Sequence, residues 1–159
     1  MKAALLAGGR GTRLTPYTII FPKPLMPIGE IPILEIILRQ LKYYGFSEVI
    51  LACGYLAELI QAYMVNNWIS KKLRIRYYRE KQPLGTTGAL AGIDGLGETF
   101  LVMNGDILTT IDYSKLSQYH LDKKATLLPS PLHRKRSRLT WECRAWMVIT
   151  ISLGMTKSP

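Results

Sequence analysis

The sequence predicts an α/β domain built on a mostly parallel sheet with helices on both faces. Short apolar runs alternate with amphipathic stretches at helical spacing between residues 2 and 121. The apolar runs are nearly continuous, as strands that are buried on both faces are. Turn-forming residues, glycine above all, follow several of these runs. Strands that alternate with helices in this way indicate parallel pairing through helical crossovers.

The predicted elements follow in order along the chain. We expect strands at 2–7, 48–52, 73–78 and 99–103, a loop at 8–27, helices near 34–44, 56–63 and 112–121, and a glycine-punctuated turn entering a short helix at 84–91. The first helix is predicted by apolar residues at helical spacing, followed by Gly45 at the position of a C-cap. The third strand, at 73–78, alternates apolar and basic residues, which predicts a half-exposed strand.

Length and composition favour one domain in a reducing compartment. The chain has 159 residues, of which 48% are hydrophobic, enough for a single buried core. Its two cysteines, Cys53 and Cys143, make no disulfide framework. The stretch before Gly8 is too short for a signal peptide, and the apolar run at 145–153 is too short to span a bilayer. We therefore expect a cytoplasmic protein with no membrane partner.

The net charge of +10 is unevenly distributed. Residues 1–123 contain 14 Lys+Arg and 10 Asp+Glu, a balance of +4, whereas residues 124–159 contain 7 and 1, a balance of +6. A basic nucleic-acid-binding protein is an alternative that rests on this charge alone. Because more than half of the excess lies in the last 36 residues, we expect no nucleic-acid partner.

Three unusual segments, at 8–23, 81–88 and 104–106, follow predicted elements. In open α/β sheets, ligands bind beyond the carboxyl ends of the strands. In the first segment, glycines can turn backbone N–H groups toward an anion, and Arg10, Arg13 and Lys23 add positive charge. The segment has neither the Walker pattern nor the third glycine of the dinucleotide fingerprint. A plain glycine turn with solvated arginines is the alternative, which the stiff prolines on both sides of Lys23 disfavour.

The third segment places Asp106 just after a buried strand. A single aspartate there is often only a turn former or a helix cap. Opposite a phosphate-binding loop, it is better explained as a ligand of Mg²⁺, which proteins usually hold with one or two carboxylates plus substrate phosphates.

These motifs together resemble those of the sugar-phosphate nucleotidylyltransferases, the NDP-sugar pyrophosphorylases. The resemblance rests on GGRGTRL at 8–14 with PKPL at 22–25, on PLGTTGAL at 83–90, and on NGD at 104–106. Their order and spacing agree over residues 1–126, and the second motif is most similar to the mannose-1-phosphate guanylyltransferase branch. The resemblance implies a Rossmann-like fold of the nucleotide-diphospho-sugar transferase type, incomplete at the C-terminus.

The family resemblance implies nucleotidyl transfer from an NTP to a sugar 1-phosphate, giving an NDP-sugar and pyrophosphate. GTP is the first expectation, with thymine or uracil nucleotides next, and the cofactor is Mg²⁺. Arg13 would stabilise the α-phosphate and the leaving pyrophosphate, Lys23 would bridge the phosphates of both substrates, and Asp106 would hold the metal. The residues expected to bind the nucleotide are Leu6, Ala7, Gly8, Gly9, Arg10, Gly11, Thr12, Gln82, Pro83, Gly85, Thr86, Gly88 and Gly105. Family members commonly form homo-oligomers.

Several other residues have ordinary structural explanations. His120 is expected on a surface helix and His133 in a basic tail, and neither has a partner at the spacing of metal ligands. Cys53 ends a buried strand and is expected to be a small core residue. The basic stretch at 71–76 is expected to be solvated. A non-catalytic relative with a regulatory role is a further alternative, which the intact motif residues disfavour.

The family resemblance stops near Thr126, and residues 127–159 form a basic tail without clear periodicity. If the tail is translated in the reading frame that starts at the third base of each codon, it can encode a threonine-hydrophobic strand, then Gly-Val, then Glu-Lys-Pro. These features have the same order in the family. The Met155-Thr156 pair then necessarily encodes an aspartate. We therefore expect residues 1–126 to be the nucleotide-binding part, the tail to be out of frame and poorly folded, and the 159-residue chain to have little activity.

Overall fold

The fold centres on a five-stranded sheet with the order β5-β4-β1-β6-β7. The computed structural model describes residues 1–9, 11–79, 89–90, 92–97, 99–122 and 146–150. The strands of this sheet are β1 (Lys2–Ala7), β4 (Glu48–Cys53), β5 (Arg74–Arg79), β6 (Thr99–Asn104) and β7 (Trp146–Thr150). β2 (Pro27–Ile28) and β3 (Ile31–Pro32) form a small separate hairpin. The longer helices are α2 (Ile33–Tyr43), α3 (Ala57–Val65) and α4 (Tyr113–Asp122), and α1 (Tyr17–Ile20) is a single turn.

The four strands β5, β4, β1 and β6 are mutually parallel, as the sequence predicts. The register aligns the carboxyl ends of the three central strands. Ala7 lies opposite Cys53, and Leu6 lies opposite Asn104. The segments that follow β1, β4 and β6 therefore begin side by side at one edge of the sheet.

Both faces of the sheet are covered, which confirms the predicted α/β fold. On one face, the apolar sides of α2, α3 and α4 pack on β1, β4 and β6. This larger core includes Leu34, Ile37, Leu38, Leu41, Ile60, Met64 and Tyr113, all almost completely buried. On the other face, Ala4, Ile50 and Phe100 pack against Ala89 and Ile93. Burial of this apolar surface is the main source of stability.

Ordinary caps lie at the C-terminus of α2 and at the N-terminus of α4. Gly45 adopts a left-handed conformation (φ +78°) after α2, and its N–H donates to the carbonyl of Lys42. This confirms the C-cap expected at this glycine. At the start of α4, the Asp112 carboxylate accepts hydrogen bonds from the N–H groups of Ser114 (2.9 Å) and Lys115 (3.1 Å).

Three expectations differ from the structure. His120 is buried, not on a surface, because it follows Tyr113 and Leu116 at helical spacing on the inner face of α4. The expected loop at 8–27 contains three short helical turns, at Thr12–Leu14, Tyr17–Ile20 and Lys23–Leu25. In the tail, which we expected to be poorly folded, residues 146–150 pair antiparallel with β6. Their apolar, β-branched sequence suits a strand. Apart from these five residues, the tail from 127 lies outside the described part of the chain.

A single buried carboxylate ties α2 to α3 and the turn that follows. Glu35 accepts hydrogen bonds from Tyr63, Asn67 (2.6 Å), Trp68 (3.1 Å) and Arg39 (2.5 Å). Burial by itself would raise the pKa of Glu35, but these hydrogen bonds outweigh it and lower the pKa to about 2. Glu35 is therefore ionised in the folded protein at neutral pH.

The basic stretch at 71–76 is partly ion-paired. Arg74 and Arg76 lie 3.8 and 3.4 Å from the buried Glu48 carboxylate, which also pairs with Lys2 at 3.4 Å. These arginines thus have a structural role on the edge strand β5. In the described part of the chain, no helix is long and apolar enough to cross a membrane.

Candidate active site

An open pocket of about 590 Å³ lies at the carboxyl edge of the sheet, between β1 and β6. Three segments converge there: the residues after β1, the proline-flanked turn that contains Lys23, and the residues after β6. The lining residues are Leu6, Ala7, Gly8, Gly9, Gly11, Thr12, Arg13, Leu14, Lys23, Pro24, Asn104, Asp106 and Ile107. The parallel register of β1 and β6 is what brings these distant segments together.

The glycine-rich segment after β1 is held in a conformation that requires glycine at position 11. Gly11 has φ +62°, and a Cβ atom there would lie 2.8 Å from Thr18 Cγ2. The Gly11 carbonyl accepts hydrogen bonds from the N–H of Leu14 (2.9 Å) and the hydroxyl of Thr18 (3.0 Å). Thr18 is itself almost fully buried, so it anchors the segment from inside.

The segment after β6 is attached directly to β1. The N–H of Gly105 donates to the carbonyl of Leu6 at 2.9 Å. A Cβ atom on Gly105 would lie 3.4 Å from both Ala7 Cβ and the Leu6 oxygen, a tight fit. Gly105 therefore lies behind the pocket, and Asn104 and Asp106 on either side of it line the pocket.

Lys23 and Asp106 form an ion pair in the pocket. Lys23 starts a 3₁₀ turn between two prolines, and the N–H of Leu25 donates to the carbonyl of Pro22 at 2.8 Å. The Asp106 side chain is 20% exposed and that of Lys23 is 38% exposed. Both charged groups are therefore accessible from the pocket opening. Arg13, in the turn at Thr12–Leu14, adds a second, more exposed cation to the lining.

Comparison with known proteins identifies the family. The family model described as "Nucleotidyl transferase" matches residues 2–137 of the chain. The chain belongs to the nucleotidyl transferase family.

Relatives of the chain include guanylyltransferases. D-glycero-alpha-D-manno-heptose 1-phosphate guanylyltransferase of Campylobacter jejuni is 42% identical over 117 residues, which cover 73% of this chain and 52% of that protein. Mannose-1-phosphate guanylyltransferase 1 of Arabidopsis thaliana is 36% identical over 125 residues, which cover 76% of this chain and 35% of that protein. The chain thus spans about a third to a half of the length of these relatives.

The fold is shared with solved structures of the family. The crystal structure of HddC from Yersinia pseudotuberculosis complexed with GMP-PN superposes with a TM-score of 0.66 at 31% identity. The match covers 76% of this chain and 54% of that chain. The predicted resemblance to NDP-sugar pyrophosphorylases and the predicted fold type are therefore confirmed.

The structure brings most of the predicted site residues into one pocket. Those that line it are Leu6, Ala7, Gly8, Gly9, Gly11, Thr12, Arg13, Lys23 and Asp106. Gly105 supports the pocket from behind. The remaining predicted residues, Arg10, Gln82, Pro83, Gly85, Thr86 and Gly88, lie outside the described part of the chain.

Some residues of the site are not predicted by the sequence. Leu14, Pro24 and Ile107 line the pocket although they carry no functional group that would have singled them out. Asn104 belongs to the NGD motif but was not among the expected ligands. Thr18 supports Gly11 through a side-chain contact that no local pattern in the sequence indicates.

The oxygen donors of the pocket fit part of a magnesium shell. The described residues contain no group of three or more His, Cys, Asp or Glu side chains that would hold a metal ion by themselves. The Asp106 carboxylate, with Asn104 beside it in the lining, is a donor set that suits Mg²⁺ shared with nucleotide phosphates. These two side chains would therefore supply part of the oxygen shell of Mg²⁺ and leave its other positions to further ligands.

Proposed function

We propose that this pocket binds a nucleoside triphosphate and that the chain is the nucleotide-binding part of a sugar-1-phosphate nucleotidyltransferase. The observation that carries the proposal is the convergence of the glycine segment, Lys23 and Asp106 at one edge of the parallel sheet. Backbone N–H groups and cations in a shared concavity bind phosphates. Membership of the nucleotidyl transferase family supports the same reaction class.

The proposed reaction is an in-line substitution at the α-phosphorus of the nucleotide. An oxygen of the sugar 1-phosphate forms the new bond to the α-phosphorus, and the bond to the oxygen of the β-phosphate breaks. The electron pair leaves with pyrophosphate. The attacking oxygen is already anionic at neutral pH, so the protein has no proton to remove. Catalysis then consists of positioning the phosphates and stabilising their charge.

Each pocket residue has its own role in the proposed reaction. Lys23, held by two prolines, would neutralise phosphate charge and draw the two anionic substrates together. Arg13, at the exposed rim, would stabilise the α-phosphate and the departing pyrophosphate. The backbone of 8–12 would orient the nucleotide. Asp106 and Asn104 would hold Mg²⁺, which supplies charge neutralisation on the phosphates when it is bound.

We infer that guanine is the base and that a sugar 1-phosphate of the manno type is the acceptor. The two relatives described above are guanylyltransferases for mannose 1-phosphate and for a manno-heptose 1-phosphate. A structural neighbour at 31% identity is a complex with GMP-PN. Residues 82–88 are proposed to contact the base, by their resemblance to the family's base-recognition segment.

The test is a binding titration of the purified 159-residue chain with GTP, UTP, dTTP and ATP in the presence of Mg²⁺. We expect GTP to bind most tightly and to raise the Tm. The Lys23→Ala variant should lose at least about tenfold in GTP affinity, which corresponds to roughly 1.4 kcal/mol. Lys42→Ala, which removes an exposed lysine on α2, is the control and should bind as the unmodified chain does.

Turnover is measured separately, as pyrophosphate release from GTP with mannose 1-phosphate or a manno-heptose 1-phosphate. We expect little turnover from the 159-residue chain even when it binds GTP. A chain that binds none of the four nucleotides would contradict the proposed function, and substantial turnover would contradict only the expectation of low activity.

A further inference from the structure

The strand beside β1 contributes a second support to the glycine segment. β4 ends at Cys53, directly opposite Ala7 of β1, and Gly54 follows. A Cβ atom on Gly54 would lie 3.0 Å from the Gly8 oxygen and 3.2 Å from Gly8 Cα. Both are backbone atoms, so no side-chain rotation could relieve the contact. A side chain at position 54 would therefore require the Gly8 backbone to move by a few tenths of an ångström.

Tyr55 makes hydrogen bonds to both ends of the same segment. Its backbone N–H donates to the carbonyl of Gly8 at 3.5 Å, and its hydroxyl donates to the carbonyl of Ile19 at 3.2 Å. Gly8 and Ile19 bracket the part of the chain that contains Gly11 and Arg13. One residue outside the segment thus connects its beginning to its end.

These contacts have an electrostatic consequence for the pocket. A carbonyl oxygen directed at a phosphate repels it, whereas an N–H group attracts it. The carbonyls of Leu6, Gly8 and Gly11 accept hydrogen bonds from Gly105, Tyr55 and Thr18, respectively. Their oxygens are therefore engaged within the protein. Gly105 and Thr18 lie in the segments that form the pocket, whereas Tyr55 follows the neighbouring strand β4.

We propose that Gly54 and Tyr55 are positioning residues that hold the 8–19 segment in the conformation that binds nucleotide phosphates. The inference rests on the proposed function and deepens it. Neither residue lines the pocket, so each acts through the backbone of Gly8 and Ile19. This role predicts that local mobility of the segment and nucleotide affinity change together, without loss of the overall fold.

The first test uses Tyr55→Phe, which removes only the hydroxyl that reaches Ile19. Tyr43→Phe is the matched control, since Tyr43 is 84% exposed. In the full chain without nucleotide, we expect amide hydrogen exchange of residues 6–19 to be roughly fivefold faster in Tyr55→Phe, the effect of one ordinary hydrogen bond. GTP affinity with Mg²⁺ should fall by a similar factor. The Tm and the exchange of α2 should match those of Tyr43→Phe.

The second test uses Gly54→Ala, which places a methyl group against the Gly8 backbone. We expect GTP affinity to fall more than in Tyr55→Phe, by at least about tenfold. If Gly54→Ala does not fold, Tyr55→Phe decides alone. A merely structural role for Tyr55 would instead lower the Tm, accelerate exchange throughout the sheet, and leave the GTP affinity of the folded fraction unchanged. That result, or unchanged exchange at 6–19, would overturn the proposal.

The measurements distinguish failure of the proposed function from failure of the positioning role of Tyr55. If the unmodified chain binds no GTP, the proposed function fails, and the exchange measurement still decides whether Tyr55 holds the segment. If the unmodified chain binds GTP and Tyr55→Phe binds it equally well, only the present inference fails.

Discussion

The ammonium group of Lys23 and the carboxylate of Asp106 form an ion pair within the pocket lining. They come from two different segments, one in the turn after α1 and one after β6. In the proposed reaction, Lys23 interacts with phosphates and Asp106 with Mg²⁺. The two side chains therefore pair with each other in the structure. In the proposed complex, Lys23 would pair with phosphate and Asp106 with Mg²⁺.

The ion pair predicts opposite effects of Asp106→Asn with and without magnesium. Without Mg²⁺, the substitution removes a negative charge beside the phosphates and releases Lys23, so GTP should bind more tightly. We expect a gain of about fivefold, near 1 kcal/mol, because the pair is partly exposed to solvent. With Mg²⁺, the variant should lose the additional affinity that the metal gives the unmodified chain. Calorimetric titration in EDTA and in Mg²⁺ measures both effects.

Asp122→Asn, at the exposed end of α4, is the control for this prediction and should change neither titration. Weaker GTP binding by Asp106→Asn in EDTA would show that the carboxylate supports the pocket instead of competing for Lys23.

A methyl group at Gly11 is expected to distort the glycine segment. Gly11→Ala introduces a side chain at φ +62° and places its Cβ 2.8 Å from Thr18 Cγ2. We expect a loss of roughly 2–3 kcal/mol in the free energy of unfolding, from backbone strain and overpacking together. Thermal and urea unfolding measure this loss.

The double variant Gly11→Ala/Thr18→Ser separates the two causes of that loss. Serine keeps the hydroxyl that bonds to the Gly11 carbonyl and lacks Cγ2. The double variant should therefore recover the steric part, about 1 kcal/mol, and keep the backbone strain. Equal stabilities of the single and double variants would mean that relief of the close approach to Thr18 does not exceed the cost of losing the buried Cγ2 methyl group.

Glu35 predicts a pH dependence of stability. Its folded-state pKa of about 2 lies below its ordinary value of 4.5, because hydrogen bonds outweigh the effect of burial. The carboxylate therefore stabilises the fold above pH 4.5, and this contribution is lost as the pH falls from 4.5 toward 2. Glu35→Gln should reduce the free energy of unfolding by about 2–4 kcal/mol at pH 7, since Arg39 loses its buried partner.

We expect urea unfolding at pH 7, 5 and 3.5 to measure the difference in the free energy of unfolding between the unmodified chain and Glu35→Gln. This difference should be smallest at pH 3.5. Glu58→Gln is the control, because Glu58 pairs with Arg79 on the surface and both side chains are largely exposed. If the difference in the free energy of unfolding is the same at every pH, the stabilisation does not come from an ionised Glu35.

The tail predicts a specific result at the level of DNA. We propose that residues 1–126 are the nucleotide-binding part and that the codons from about 127 are read out of frame. Re-sequencing the source DNA across codons 120–159 should reveal one added or missing base near codon 127. An unaltered sequence would refute the frameshift hypothesis. The tail would then be a genuine sequence, with residues 146–150 forming the antiparallel strand β7 beside β6.

The sequence by itself predicted the main strands and helices and nine of the residues that line the pocket. The apolar runs of β1, β4 and β6 and the helical spacing of α2 are local patterns, and the structure has these elements within one or two residues of the predicted bounds. The glycine segment, Lys23 and Asp106 were recognisable because residue type and position relative to a strand end reflect local chemistry. The alternation of strands and helices predicts a parallel sheet. Parallel pairing in turn places these residues at the same edge of the sheet.

Only the tertiary structure decided which of these residues touch. The ion pair of Lys23 with Asp106, the hydrogen bonds of Tyr63 and Asn67 to Glu35, and the contact of Gly54 with Gly8 all join residues from different elements. Such contacts depend on the relative orientation of packed helices and strands, and no periodicity along one segment encodes that orientation. Packing in three dimensions therefore determined the geometry of the site, after local sequence had determined its components.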